Sequence, residues 1–434
     1  MFQFWRAVAI VAVLMLSFRS GLADDVTSEE RALSFAEALD SLQANNKDLV
    51  LARTHIKDAE GDLLVAAQKQ NPVLSLGSTM YKTPPGDPTP SPGYRLHNYT
   101  SYNVGVSMMV ERGGKRELRE SAANKGLEAA RTDVKSIDTD LRLQLAGLYF
   151  DLAVAEHKEK IARQYAELYD KSIEAMQLRV KNGDLAVIDL TRAEVEAEQA
   201  HLQADSARAE KRTAQWALVQ LLNVGDEKSL KTTVEWDLTS KIALQKPMAA
   251  QLHELVESRA SVIAARLRVE QAREGIKVAQ AQRKNDVTVG VAYDHEPEGN
   301  NISQSNISLN LSIPLQTRYQ HEGEIQKAYV QLEAAEADLQ RIRNITLTEM
   351  SRARDALTNI ASRIERLQTG VIPRAREAAN SAEFAYNNGA SSLTDLMDAR
   401  RALQALLLDA VDVYAAYQKA LQVWQIESRD ESAS

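Results

Sequence analysis

Residues 179–193 read RVKNGDLAVIDLTRA and residues 385–399 read AYNNGASSLTDLMDA. Each sets Asn-Gly ahead of an Asp-Leu pair six residues on, with an Ala three after the Leu, and the copies lie 206 residues apart. A Gly that follows Asn at the end of a helical tract can take the left-handed conformation that stops a helix. A fresh amphipathic run begins at once, so each phrase reads as a tight turn between two antiparallel helices. Past the second turn, Asp395 and Asp398 are three apart and share a helix face. Repeated around a symmetry axis, such carboxylates would repel one another and attract cations. Capping of a helix N-terminus, where acidic residues complement the helix dipole, is the other reading of the same pair.

Prolines mark where the flanking helices stop. Five of the ten (Pro84, Pro85, Pro88, Pro90, Pro92) crowd into KTPPGDPTPSPG, which reads as a loop. None occurs from Lys115 to Lys246, and after Pro314 only Pro373 appears. The first of these tracts shows apolar residues at helical spacing, as in Leu141, Leu145, Leu148 and Leu152. A helix from Lys115 to about Asn182 would extend on the order of 100 Å. A helix of that length needs lateral partners along it, as in a coiled coil.

The echo reaches beyond the turns. At an offset of 213, Ala52, Arg53, Ala59, Val65, Ala66 and Gly77 match Ala265, Arg266, Ala272, Val278, Ala279 and Gly290. At an offset of 203, YNVGVSMMVE (102–111) aligns with SNISLNLSIP (305–314). The chain therefore reads as two tandem repeats, 24–225 and 248–428, with a linker at 226–247 and a tail at 429–434. The helical turns fall near 183 and 389. Each repeat also holds two stretches of strict alternation, 73–81 and 102–111 in the first, 286–294 and 305–314 in the second. One face of each is aliphatic and the other small or polar. About ten residues is the length a tilted strand needs to cross a bilayer. A soluble antiparallel sheet with one buried face has the same period. Four strands are too few to close a membrane barrel, so a barrel would require several protomers.

The opening MFQFWRAVAIVAVLMLSFRSGLA has a basic residue, a short apolar run and small residues near Ala23, the pattern of a cleaved secretory signal. Without residues 1–23 the chain carries 50 basic and 60 acidic residues, a net charge of −10, which disfavours nucleic acid as a partner. The absence of Cys excludes disulfides, thiolate metal sites and Cys catalysis. The seven His are scattered, with no pair at a helical metal-site spacing, and no nucleotide-binding or hydrolase motif is present. Neither a resident metal nor a cofactor is expected, and no enzyme activity. Asp294-His295-Glu296 reads as a solvated loop between strands. Asn98-Tyr99-Thr100 matches a glycosylation sequon to which no role is given.

With its leader, its tandem repeats of helices and strands, and its two GxxxxxDL turns, the chain resembles the TolC family of outer-membrane efflux proteins. The resemblance covers essentially all of it after the leader. It implies a mainly α fold with a small β part: a long α-helical barrel, plus four strands per protomer in a trimeric twelve-stranded outer-membrane β-barrel. The implied role is the exit duct of a three-part efflux system. The implied partners are a homotrimer, a periplasmic membrane-fusion adaptor, an inner-membrane RND-type pump and outer-membrane lipid. The two turns would sit at the periplasmic mouth and dock the adaptor through Arg179, Val180, Gly183 and Leu190 in the first, and Gly389, Leu393 and Leu396 in the second. The family's gate maps onto Tyr386, Asp395 and Asp398. Ser391 stands where some members place an Arg in that gate. Glu111-Arg112-Gly113-Gly114-Lys115-Arg116 is similar to a signature of the CzcC-like heavy-metal efflux branch, and Pro314-Leu315 with Gly323-Glu324-Ile325 to its second-half counterpart. The intervening QTRYQHE departs from that pattern. A periplasmic coiled-coil scaffold, or the same duct serving drugs and small organic molecules, remains as an alternative.

Overall fold

The computed structural model describes residues 31–80, 100–225, 230–236, 252–297 and 303–428. The leader, the proline-rich loop, Asn98 and Tyr99 of the sequon, most of the linker and the tail lie outside them. The chain divides into two compact units, residues 1–42 with 148–236, and 43–147 with 237–434. This division does not follow the tandem repeat, because its boundary cuts through one long helix.

In the first unit, strand β1 (Arg31–Leu33) pairs in parallel with β4 (Leu230–Thr232). Helix α1 (Phe35–Asn45) follows β1 and buries Ala38 and Leu42 completely. Phe35 packs its ring 5.4 Å from Tyr149 and 5.9 Å from Phe150, and the Tyr149 hydroxyl donates to the Leu33 carbonyl at 2.9 Å. Those tyrosine and phenylalanine residues belong to α3 (Lys115–Lys181), a helix of 67 residues whose part from 148 onward lies in this unit and whose part before it lies in the second. It returns through α4 (Val187–Leu222). His201 of α4 meets Asp170 of α3 at 3.0 Å, and Lys211 meets Glu159 at 3.1 Å, which sets the two helices antiparallel. The buried side chains on α4 are mostly alanines (Ala193, Ala197, Ala200, Ala207), small enough for close helix approach. Glu156 accepts the Thr232 N–H at 3.1 Å, and burial pushes its carboxyl above the ordinary value.

The second unit holds a four-stranded antiparallel sheet in the order β2 (Val73–Met80), β3 (Thr100–Val110), β5 (Val287–Pro297), β6 (Ser303–Ser312). Each repeat supplies one hairpin, and the hairpins join along β3 and β5. Strand β5 runs on through Asp294, His295 and Glu296, which are thus paired residues and not a loop. The register stacks like on like. Leu74, Val106, Val291 and Leu309 form one cross-strand row, and Leu76, Val104, Tyr293 and Ile307 another. The opposite face stacks Ser75, Gly105, Ala292 and Ser308. The strands approach closely along that row: a Cβ on Gly105 would lie 2.8 Å from the Ser75 hydroxyl and 3.1 Å from the Ala292 Cβ.

Helices of this unit are α2 (Lys47–Ala67), α5 (Leu252–Ser258), α6 (Ala260–Ala281), α7 (Glu322–Arg366), α8 (Ile372–Asn387) and α9 (Leu393–Glu427). Val256, Val262, Ala265, Val269, Leu339 and Met350 form a core among α5, α6 and α7. Between α7 and α8 lies one π-helical turn, Leu367–Val371.

Candidate functional site

The two echoed phrases fold into one local structure. In the first, the Gly183 N–H donates to the Val180 carbonyl at 3.0 Å and the Asp184 N–H to the Arg179 carbonyl at 2.9 Å. In the second, Gly389 donates to Tyr386 at 3.0 Å and Ala390 to Ala385 at 2.8 Å. This paired arrangement is a Schellman closure, which satisfies the last helical carbonyls when the residue after the cap is left-handed. Both glycines are so, with φ of 82° and 71°. Arg179, Val180, Gly183 and Leu190 thus share one turn, and Tyr386, Gly389, Leu393, Asp395, Leu396 and Asp398 the other.

The helices that leave the two turns begin differently. Asp189 and Asp395 both stand at the third position of their helix, behind Ala186 and Ser392 as caps. Ala186 offers no side-chain bond. Ser392 and Asp395 cap reciprocally: the Asp395 N–H donates to the Ser392 hydroxyl at 3.2 Å, and its carboxylate accepts the Ser392 N–H at 3.0 Å and hydroxyl at 2.7 Å. Those two bonds from Ser392 hold the Asp395 carboxyl below the ordinary range. Asp398, exposed on the next turn, is ion-paired with Arg401. Tyr386 is half-buried, Leu396 buried, and Arg400 ties α9 to Glu383 of α8 at 3.1 Å just behind the turn.

Sequence reading passed over two residues here. Leu178 and Phe384 each stand five residues before a turn glycine and are 62% and 72% exposed. Carrying the 206-residue offset back past the glycines would have paired them. Phe384 also closes one end of a 610 Å³ groove that runs up α8 past Asn380, Arg376 and Pro373 to Gln368.

The family model of outer membrane efflux proteins matches residues 38–224 and 252–423, which is most of the chain. The chain belongs to the outer membrane efflux protein family. This is a family of transport proteins of the outer membrane and not of enzymes. The cobalt-zinc-cadmium resistance protein CzcC of Cupriavidus metallidurans is 24% identical over 371 residues, covering 86% of this chain and 84% of CzcC. Among solved structures, CusC superposes with a TM-score of 0.74 at 16% identity, covering 91% of each chain. VceC of Vibrio cholerae does so at 0.71 and 19% identity, over 92% of this chain and 96% of VceC. The mainly α architecture with a small β part is therefore that of known outer-membrane channels.

The sheet presents a second surface, apart from the turns. Its aliphatic rows are uncovered, with Ile307 and Leu309 at 77% and 84% exposure, whereas Gly105 and Ala292 on the small-residue face are buried. The Glu111–Arg116 segment joins this sheet to α3. Lys115, 4% exposed, meets Asp286 at 2.8 Å, Asp286 also accepts the Arg112 N–H at 3.0 Å, and Arg119 pairs with Glu111 at 3.0 Å. Among the described residues no helix is long and apolar enough to cross a membrane, and no group of three or more His, Asp or Glu is placed to hold a metal ion.

Proposed function

We propose that the protein is the outer-membrane exit duct of a three-part efflux system, exported by residues 1–23 and assembled as a homotrimer with a long periplasmic extension. The observation that carries this reading is the sheet's uncovered aliphatic face. In water each large apolar side chain forfeits about 1.5–3 kcal/mol that burial would return. A soluble sheet would cover such a face with a second layer, and here cross-strand rows of aliphatics face outward together. Lipid is the solvent that suits them. The outer edges of β2 and β6 have no partner strand among the described residues, and closure by further copies would satisfy them.

The likeness to CzcC favours heavy-metal cations as cargo. An inner-membrane RND-type pump would select that cargo, and a periplasmic membrane-fusion adaptor would dock at the turns through Arg179, Val180, Gly183, Leu190, Gly389, Leu393 and Leu396. The gate would comprise Tyr386, Asp395 and Asp398. The capping bonds give Asp395 a structural duty as well, so Asp398 is the cleaner probe of gating.

Membrane fractionation with the mass of the detergent-extracted particle tests the assignment. Outer-membrane recovery at three chain masses is expected, and a soluble monomer would mark a periplasmic scaffold instead. Deletion of the gene is expected to lower tolerance of cobalt, zinc or cadmium. Sensitivity to organic compounds alone would reassign the cargo.

A further inference from the structure

The two edges of the four-stranded sheet are charged differently. Four junctions, 68–72, 111–114, 282–286 and 313–321, tie its strands to helices, and the register puts all four on one edge. Lys69, Arg112, Lys284 and Arg318 lie one in each junction, exposed and with no ion pair among the described residues. The carboxylates of the same edge are engaged. Asp286 pairs with Lys115 and Glu111 with Arg119, Glu322 accepts the Gln320 N–H at 3.0 Å, and Glu324 accepts the Tyr319 hydroxyl. Gly113 gives Lys284 its room: a Cβ there would lie 2.6 Å from the Lys284 Cδ, so the aliphatic stem rests against bare backbone. The opposite edge, 80, 100–102, 294–297 and 303–306, has no Lys or Arg among the described residues and carries Asp294 and Glu296. Between the two edges stand the uncovered aliphatic rows.

We propose that Lys69, Arg112, Lys284 and Arg318 form a rim that binds anionic phospholipid headgroups, in the leaflet on the side of the helices. The proposal rests on the outer-membrane reading given above, since it takes the aliphatic rows to meet acyl chains, and it names the lipid chemistry at their border. The 11 residues of β5 extend about 36 Å, or about 28 Å of height at the tilt of a barrel strand. That is close to the thickness of the hydrocarbon layer, so the two edges fall at the two headgroup levels. At that level Lys and Arg attract anionic lipid, whereas a headgroup without net charge exerts no such pull. Four neighbouring strands spread the cations over about 14 Å, wider than one free phosphate and suited to headgroups lying side by side. An acidic protein would match the charge but not the aliphatic rows that begin beside it.

The test is thermal unfolding of the detergent-extracted, delipidated full chain. Phosphatidylglycerol or phosphatidylcholine is added to the micelles, or inorganic phosphate at matching concentration. Phosphatidylglycerol is expected to raise the midpoint by several degrees over phosphatidylcholine, and raised salt to shrink that difference. Inorganic phosphate should give no rise. R112Q, K284Q and R318Q together should cut the difference to under half. K171Q, R208Q and R212Q together, which remove the same charge from exposed positions of α3 and α4, should retain it. An undiminished difference in the first variant, or an equal loss in the second, would overturn the assignment to this edge. Equal effects of the two lipids on the wild type would overturn the rim and leave the outer-membrane reading standing. An equal rise with inorganic phosphate would replace the headgroup by a free anion, and recovery of the chain as a soluble monomer would overturn both readings.

Discussion

Gly183 and Gly389 isolate one physical effect. A Cβ at either site meets nothing within 4 Å, so substitution there adds no clash. The cost of Gly183→Ala or Gly389→Ala is then that of holding a Cβ-bearing residue left-handed, about 1–2 kcal/mol each, with Asn milder than Ala. Thermal unfolding of the single and double variants should show two similar, additive losses, and an unchanged midpoint would remove the Schellman turns as stability elements. His157 offers a pH handle. Its Nε2 accepts the Trp236 N–H at 3.2 Å while Nδ1 donates to the Ala153 carbonyl at 2.8 Å, an arrangement that uses a neutral ring. Burial holds its pKa below the ordinary 6.5. The unfolded chain therefore takes up this proton at a higher pH than the folded one. Stability from the neutral ring is full above about 6.5 and is lost as pH falls toward the lower folded value. Between about pH 7 and pH 5, wild type should lose more of its unfolding midpoint than His157→Gln, which keeps an amide in place but cannot titrate. Parallel curves would show that His157 does not couple folding to pH.

The elements differ in how plainly the sequence announced them. The Asn-Gly…Asp-Leu echo gave away both turns because a left-handed stop tolerates few residues, and four alternating stretches gave away the strands because period two is seldom imitated. The continuation of β5 through Asp294–Pro297 was hidden, since Asp-His-Glu-Pro is loop chemistry and only pairing with Ser303–Asn306 of β6 makes it strand. Capping was legible in type and not in outcome. The two Asp-Leu pairs read alike, yet Ser392 completes a reciprocal cap and Ala186 does not. Pro373 stood out in the sequence, but the π turn ahead of it did not. Proline has no N–H to donate, and its ring crowds the carbonyl four residues back. The helix answers with the π turn at Leu367–Val371, where the Ile372 N–H reaches the Leu367 carbonyl. The matching positions in the first repeat, 161–165, lie inside the unbroken α3. Amides of 367–372 should therefore exchange with solvent faster than those of 161–166, and Pro373→Ala should close the gap. Equal protection in the wild type would mean that the π turn is as rigid as the helix it interrupts.

At the scale of the whole molecule, fold and environment were separable problems. Periodicity alone left a lipid-facing barrel wall and a soluble sheet open, because both alternate. The structure adds that the aliphatic rows stand uncovered together, while on the other side Gly105 and Ala292 of the central strands are buried. Gate and wall can be probed independently. Asp398→Ala, which leaves the Ser392–Asp395 cap intact, should raise conductance in planar bilayers and weaken block by multivalent cations; no change in either would sink the gate assignment. For the wall, Val291 and Leu309 face each other across β5 and β6 on the aliphatic side, while Asn310 stands on the other side of the same strand. Lysine at a lipid-facing midplane position costs about 2–4 kcal/mol. Val291→Lys and Leu309→Lys should each deplete the outer-membrane fraction, and together should abolish it, whereas Asn310→Lys should leave recovery close to wild type. A soluble scaffold predicts the opposite: the chain would be found in the soluble fraction, and added charge on a water-exposed aliphatic face would raise its yield there. The sign of that one difference decides whether the sheet meets lipid or water.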